Sequence, residues 1–458
     1  MHNENPPTSR RKLSLLKRAS HVGLIGGAIV LSCVLAFLLF PDTVVNRFIK
    51  PRIISAFTEA YPAYSLHIAD MNYNVLKNRF GFDSVALSAI DGTFSSTIGQ
   101  FSVSGISWMH LLWGGNLGYQ DFASSALESK EIMLNLTQSH YALRCERLRV
   151  SVADSEIVVE DLKYHPPGDD EQFYAESKFR QCRFRLVVPH ARVIGLSFLE
   201  MLQGEMYCAR SIQINDVTLD ALVNRDKPSM KETSSPFMPN EFLSSIKELL
   251  RIDNLSITNG RLKYAERFEV GARPAWITFD NMQMLAEGIV NQGTNGAAVY
   301  VHAQFNLANA GTMKLLMSIP IASPKFSFQY SGSLSRMNLR ALNSFLEVSD
   351  QMRIKTGALE GVTFEVNFAS GRASGNVRGI YRDLSIAAID KYSRSEKGLS
   401  NGIVSWIANT FKLNKNNVPD KSGSIRVGTV KYTRQRDDSF IQVVWYSLRT
   451  GVQNVAGF

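Results

Sequence analysis

Eight histidines, four cysteines and 41 carboxylates are the groups of this 458-residue chain that do most protein chemistry. Their spacing points to none. A zinc protease needs two imidazoles one helical turn apart with a glutamate between them, and no His-Glu-x-x-His occurs. No histidine lies with a cysteine pair at ligand distance, and His302 falls on the polar phase of an alternating run, where a solvated side chain is expected. Cys145, Cys182 and Cys208 are too far apart in sequence for a redox or zinc Cys-x-x-Cys. An oxidising compartment would allow one disulfide among these three and leave one thiol over. Trp113 to Gly118 is glycine-rich but lacks the Lys-Ser/Thr of a phosphate loop, so it reads as a turn. The pairs Asp169-Asp170 and Asp437-Asp438 sit in polar stretches and read as solvated. No catalytic residue, metal or cofactor is expected, and the chain reads as a non-enzyme.

The charge is informative instead. The formal net charge is +9. Arg10, Arg11, Lys12, Lys17 and Arg18 against Glu4, with Arg47, Lys50 and Arg52 against Asp42, place six of those charges in the first 52 residues. A nucleic-acid footprint would run along a folded face, so no nucleic acid is expected as a partner. Between the two basic groups, Val22 to Phe40 is uncharged, with Leu31 near its centre, and spans about 28 Å as a helix, one hydrocarbon core. It ends in Leu38-Leu39-Phe40, without a small-x-small cleavage site. The reading is an uncleaved single-span anchor in an inner membrane, with the denser basic arm cytoplasmic and the bulk periplasmic.

The rest must position whatever the protein binds. Thr43 to Ala60 reads as a juxtamembrane helix with Val45, Phe48, Ile53 and Ile54 on one side. Beyond it the period is two, the mark of antiparallel strands with one apolar face. Val362, Phe364, Val366 and Phe368 alternate with polar residues, as do Val299, Val301, Ala303 and Phe305, then Phe326, Phe328 and Tyr330. Cys182, Phe184, Leu186 and Val188 are set against Arg183 and Arg185. Ser211 to Leu219, Leu255 to Tyr264 and Leu148 to Val159 form a loose repeat that reads as three tight hairpins, against the alternative that any β-rich chain yields such hairpins by chance. Helices are expected over Pro239–Leu250, Leu339–Val348, Ser400–Phe411 and Phe440–Val455, with Asn224 to Asn240 as a linker. In the last helix Phe440, Ile441, Val444, Trp445, Leu448, Val452 and Val455 share a face with Arg449 opposite, which suits capping of the sheet or docking on a membrane or partner.

The layout of one anchor, a short helix and a long β body resembles the AsmA-like family, related to TamB and the bridge-like lipid-transfer proteins. Ile214 to Leu219, Asn224 to Pro228, Asn259 to Glu266 and Ile277 to Asp280 carry the resemblance. Leu339 to Asn343, Thr356 to Leu359 and Gly375 to Leu384 continue it, in an order similar to Bacteroidetes-type members. The resemblance implies a mainly β fold, an elongated curved antiparallel sheet forming a groove that binds or passes phospholipid. Val299, Val301, Phe305, Phe326, Phe328, Val362, Phe364, Val366 and Phe368 are the expected lining, against the alternative of an ordinary core; Trp445, Leu448 and Val452 belong to the cap. The expected organisation is a basic arm (1–20), anchor (21–41), juxtamembrane helix (42–60), N-terminal β region (61–223), linker and helix (224–250), AsmA-like β region (251–393) and helical cap (394–458). An envelope scaffold that binds a protein partner is the alternative function.

Overall fold

The computed structural model describes residues 39–106, 119–228, 238–292, 297–321, 326–390 and 413–457, except 176 and 437, together with Ser32 and Leu35. The anchor residues Val22 and Leu31, the arm, the Trp113–Gly118 turn and the Ser400–Phe411 helix lie outside the described residues. No helix among those described is long and apolar enough to cross a membrane. The chain is mainly β and divides into two compact units, Met1–Glu131 and Ile132–Phe458.

In the first unit β1 (Tyr64–Asn74), β2 (Arg79–Ala89) and β3 (Phe94–Ser104) form an antiparallel meander. β4 (Ala126–Leu136) contains the boundary between units. A helical turn at Pro41–Val44, a wide π turn at Val45–Ile49 and α1 (Lys50–Ala60) lie along β1. Pro51 explains the wide turn, because its ring has no amide to donate and clashes with the carbonyl four residues back. The wider turn aligns Val45, Ile49 and Ile53 over Ile68, Met71 and Tyr73. Phe48, expected on this face, is 59% exposed, and Ile49 takes its place.

The outer edge of β1 is occupied by side chains of this helix. Asp42 Oδ1 accepts from the Tyr73 amide at 2.9 Å, and Asn46 Oδ1 accepts from the Met71 amide at 3.0 Å. Asn46 Nδ2 donates back to the Met71 carbonyl at 2.6 Å, and Lys50 Nζ donates to the Ala69 carbonyl at 2.9 Å. Four helical residues rise about 6.0 Å and two strand residues about 6.7 Å, so side chains at i, i+4 and i+8 keep step with alternate strand residues. The helix thus satisfies an edge that would otherwise offer unpaired groups to another strand.

The second unit contains β5 (Tyr141–Ser151), β6 (Glu156–His165), β7 (Cys182–Ile194), β8 (Met206–Asn215), β9 (Thr218–Asn224), β10 (Leu249–Arg267), β11 (Ala275–Val290), β12 (Ala298–Leu307) and β13 (Gly311–Pro320). β14 (Ser327–Leu334), β15 (Met337–Asn338), β16 (Met352–Ala369), β17 (Arg372–Ala388) and β18 (Val427–Thr433) complete it. Its helices among the described residues include α2 (Asp170–Ala175), α3 (Phe198–Leu202), α4 (Pro239–Ser245), α5 (Asn343–Ser349) and α6 (Phe440–Ala456). α4 ends before Leu249, which already belongs to β10, so the helix expected to run to Leu250 is shorter. β10 runs parallel to β8 and β9, and the connection from β9 supplies the crossover that parallel pairing requires.

Only one of the three repeat copies is a hairpin. β5 and β6 turn at 152–155, but β8 and β9 do not pair with each other. Both pair with β7 and with β10 in unbroken register on either side of Asp216. Asp216 (φ 57°) and Asn259 (φ 55°) are left-handed kinks within continuing strands, joined by Asn259 Nδ2 donating to Asp216 Oδ1 at 2.6 Å. Asp161 (φ 50°) and Pro189 continue the line on β6 and β7, and Asn281 (φ 53°) extends it on β11. A proline is tolerated inside β7 because the kink has already interrupted the ladder there.

Among the described residues β18 pairs with β17, and its other edge is sealed by the same device as β1. Its Thr429 amide donates to Asn454 Oδ1 at 3.0 Å and its Lys431 amide to Thr450 Oγ1 at 3.2 Å, four residues apart on α6. Replacing Asn46 or Asn454 by alanine is expected to cost about 1 kcal/mol each, the usual net worth of such bonds. Urea denaturation of the single variants checks this; an unchanged midpoint would show that the edge bonds contribute nothing.

Candidate functional site

Register converts the alternation into a surface. Leu148, Val159, Ala191, Ile214 and Ile257 stand side by side across β5, β6, β7, β8 and β10. Val150, Ile157, Val193, Ile212 and Leu255 form the adjacent row. The first row continues through Met284, Ala303, Leu315, Gly332, Phe364, Val377 and Gly428, and the second through Ala286, Val301, Met317, Tyr330, Val366, Gly375 and Val430. At the usual strand spacing these rows cross about 50 Å of sheet. On the reverse face of β5–β7, Arg147 and Arg149 pair with Glu160 at 3.2 and 2.6 Å, and Arg192 pairs with Glu156.

The two ends of this strip differ. Over β14–β18 it is closed by α6. Phe440 packs edge-on to Phe328 with ring centroids 5.1 Å apart, and the Tyr330 hydroxyl donates to the Val444 carbonyl at 2.9 Å. A Cβ on Gly428 would stand 2.2 Å from the Gly451 carbonyl oxygen, so both glycines are needed for this approach. Of the expected lining, Val299, Phe328, Phe364, Val366 and Phe368 are buried, while Val301, Phe305, Phe326 and Val362 are half-buried. At β5–β8 and β10 the row residues are all half-buried, and apart from Leu255 none packs into a buried apolar cluster among the described residues.

α6 presents a different side from the one expected. Val443, Ser447, Gly451 and Val455 face the strands, because small residues permit the closest approach. Val444 and Leu448 pack at the flank, whereas Ile441, Trp445 and Val452 are exposed. Arg449 ion-pairs with Asp350 at 2.8 Å.

Beyond the kink line Val188 is buried as expected, but the pair Arg183 and Phe184 on β7 is inverted. Arg183 is 3% exposed and Phe184 40% exposed, opposite to the expected assignment. Arg183 Nε and Nη2 donate to Asp170 at 2.9 and 3.0 Å, and Nη1 to Asp220 Oδ1 at 2.7 Å. Arg267 pairs with Glu171 at 2.6 Å and Asp226 at 3.3 Å, and lies 4.5 Å over the Tyr174 ring. Arg225 pairs with Glu266 at 2.5 Å. Asp170, expected to be solvated, is therefore a buried arginine's partner, and Asp438 is itself buried, accepting from the Gln435 amide at 2.6 Å. Asn224, Arg225 and Asp226 belong to this packed region, so the expected linker begins later; 229–237 lies outside the described residues. Burial pushes the Tyr174 and Tyr264 phenols well above their ordinary range. The signal for this cluster was a basic pair, Arg183 and Arg185, next to the acids at 169–171, but nothing in spacing showed which β7 face would be buried.

Cys145, Cys182 and Cys208 are free, and burial pushes the Cys182 thiol up to about 11. No group of three metal-ligating side chains is close enough for an ion among the described residues. Gly398-Leu-Ser400-Asn-Gly402 has the spacing of a nucleophile elbow, but lies outside the described residues. Neither a protein-family model nor a curated protein matches the chain.

Arg183→Ala is expected to destabilise the protein by about 2–3 kcal/mol, because it removes the buried guanidinium's charge-assisted bonds while Asp170 keeps Arg185 and Asp220 keeps Lys263. Phe184→Ser should cost less, about 1 kcal/mol, because the ring is 40% exposed and lies in no buried apolar cluster among the described residues. Equal losses in urea denaturation would refute this inverted assignment.

Proposed function

We propose that this is an AsmA-like, membrane-anchored protein of the cell envelope that binds phospholipid acyl chains along the apolar strip. The carrying observation is the half-buried part of the strip on β5–β8 and β10, which continues in register into a closed core. Apolar surface of this kind favours an alkyl chain by about 0.8 kcal/mol for each methylene removed from water, and asks for no polar specificity. The line of kinks at Asp161, Pro189, Asp216, Asn259 and Asn281 supports a curved, groove-like sheet, since aligned irregularities are how strands bend together. Val22 to Phe40 would hold the chain in the inner membrane, with residues 1–20 cytoplasmic and the β body periplasmic. The lining shifts from the residues beneath α6 to Leu148, Ile157, Val193, Ile212, Ile214 and Ile257. The exposed Ile441, Trp445 and Val452 favour a second reading, an envelope scaffold that docks a protein on α6.

Full-length protein reconstituted with a phospholipid bearing a photoreactive acyl chain tests the proposal. Crosslinks are expected on β5–β8 and β10, falling several-fold in Ile214→Gln and Ile157→Gln variants that keep the parent melting temperature. Crosslinks confined to α6, or none in the β body, would overturn it. A stoichiometric protein captured at Trp445, with no bound lipid, would support the scaffold reading.

A further inference from the structure

The hydrogen bonds between the first helix and β1 fix which end of the first unit is nearest the anchor. Asp42, Asn46 and Lys50 meet Tyr73, Met71 and Ala69 in that order, so helix and strand run in opposite directions. The start of the helix and the β1–β2 turn therefore lie at the same end. Phe40 is in the first helical turn, its carbonyl accepting from the Val44 amide at 3.2 Å. Leu76, at the tip of the turn, is three residues beyond Tyr73, a reach of up to about 10 Å. Phe40 is two helical residues beyond Asp42, about 3 Å. The tip thus extends past the level of Phe40.

Its composition suits a lipid interface. Leu76 is 98% exposed, and the turn is held in shape by the Asn74 side chain accepting from the Lys77 amide at 3.0 Å. An exposed leucine alone is ordinary. Here it projects beside Lys77 at the end where Leu39 and Phe40, the last residues of the uncharged 19-residue run, are also exposed. The reach of the tip past Phe40 matches the 5–10 Å to which apolar groups enter the headgroup and acyl boundary, with a lysine placed for phosphate.

We infer that the Leu76–Lys77 tip inserts into the membrane interface beside the anchor, giving the first unit a second point of attachment to the bilayer. The inference rests on the anchor reading above. With both attachments the first unit cannot pivot freely about Phe40, and β1 stands with its turn end on the lipid surface.

A fluorescent amino acid placed at Leu76, or at the 71% exposed Ile90 in the β2–β3 turn at the opposite end, tests this in the full chain. The chain is reconstituted in vesicles of phosphatidylethanolamine and phosphatidylglycerol, some carrying a spin label near the headgroup. Strong quenching at Leu76 with little at Ile90 is expected. No quenching at Leu76 in protein that still floats with vesicles after carbonate washing would overturn the inference and leave the anchor standing. Equal quenching at both positions would also overturn it. Protein that no longer floats would overturn the anchor reading, and this inference with it.

Discussion

Register is the constraint on which the second unit depends. A strand shifted by one residue would turn its apolar set to the opposite face, so two apolar rows crossing twelve strands require every pairing to hold its phase. The pairings meet this demand along both rows, and the register shifts of β10–β11, β11–β12 and β16–β17 lie outside them. β7, β8, β9 and β10 pass the kinks at Pro189, Asp216 and Asn259 without gaining or losing a residue against one another. The kinks at Asp216 and Asn259 are left-handed backbone positions at which the strands continue but their regular alternation is interrupted. That allows an apolar strip on one side of the line and a charged, buried cluster around Arg183 on the other.

Edges are the second constraint. Among the described residues β1 and β18 each pair with one strand, and the other edge of both is sealed by a helix whose polar residues recur every fourth position. The near match between four residues of helix rise and two of strand makes this a geometric solution. It also ties each helix to one orientation. At β1 that orientation points the hairpin tip and the helix start the same way; at β18 it sets α6 over Phe328 and Tyr330.

The closed and half-open parts of the strip differ by α6 and by glycines. Gly428 and Gly451 let the helix approach closely, so its small residues face the strands and its larger ones stand at the flank or outside. An amphipathic pattern by itself favours burying the largest residues, which is why Trp445 and Val452 were expected inward and are exposed. Phe328, Val366 and Phe368 are core for the same reason.

The sequence by itself determined the elements and their alternation: period two over β12, β14 and β16, a helix at the carboxy-terminal end, and a basic, apolar, basic beginning. These are local properties, set by side-chain spacing along a few residues. Tertiary structure alone decided what lay between distant segments. Asp216 and Asn259 look like turn residues until β7 and β10 are seen to pair on both sides of them. Arg183 looks solvated until Asp170 and Asp220 arrive from other elements, because alternation distinguishes two faces without saying which is buried. The same holds for Asp42, Asn46 and Lys50, whose spacing became meaningful only once β1 lay beside them.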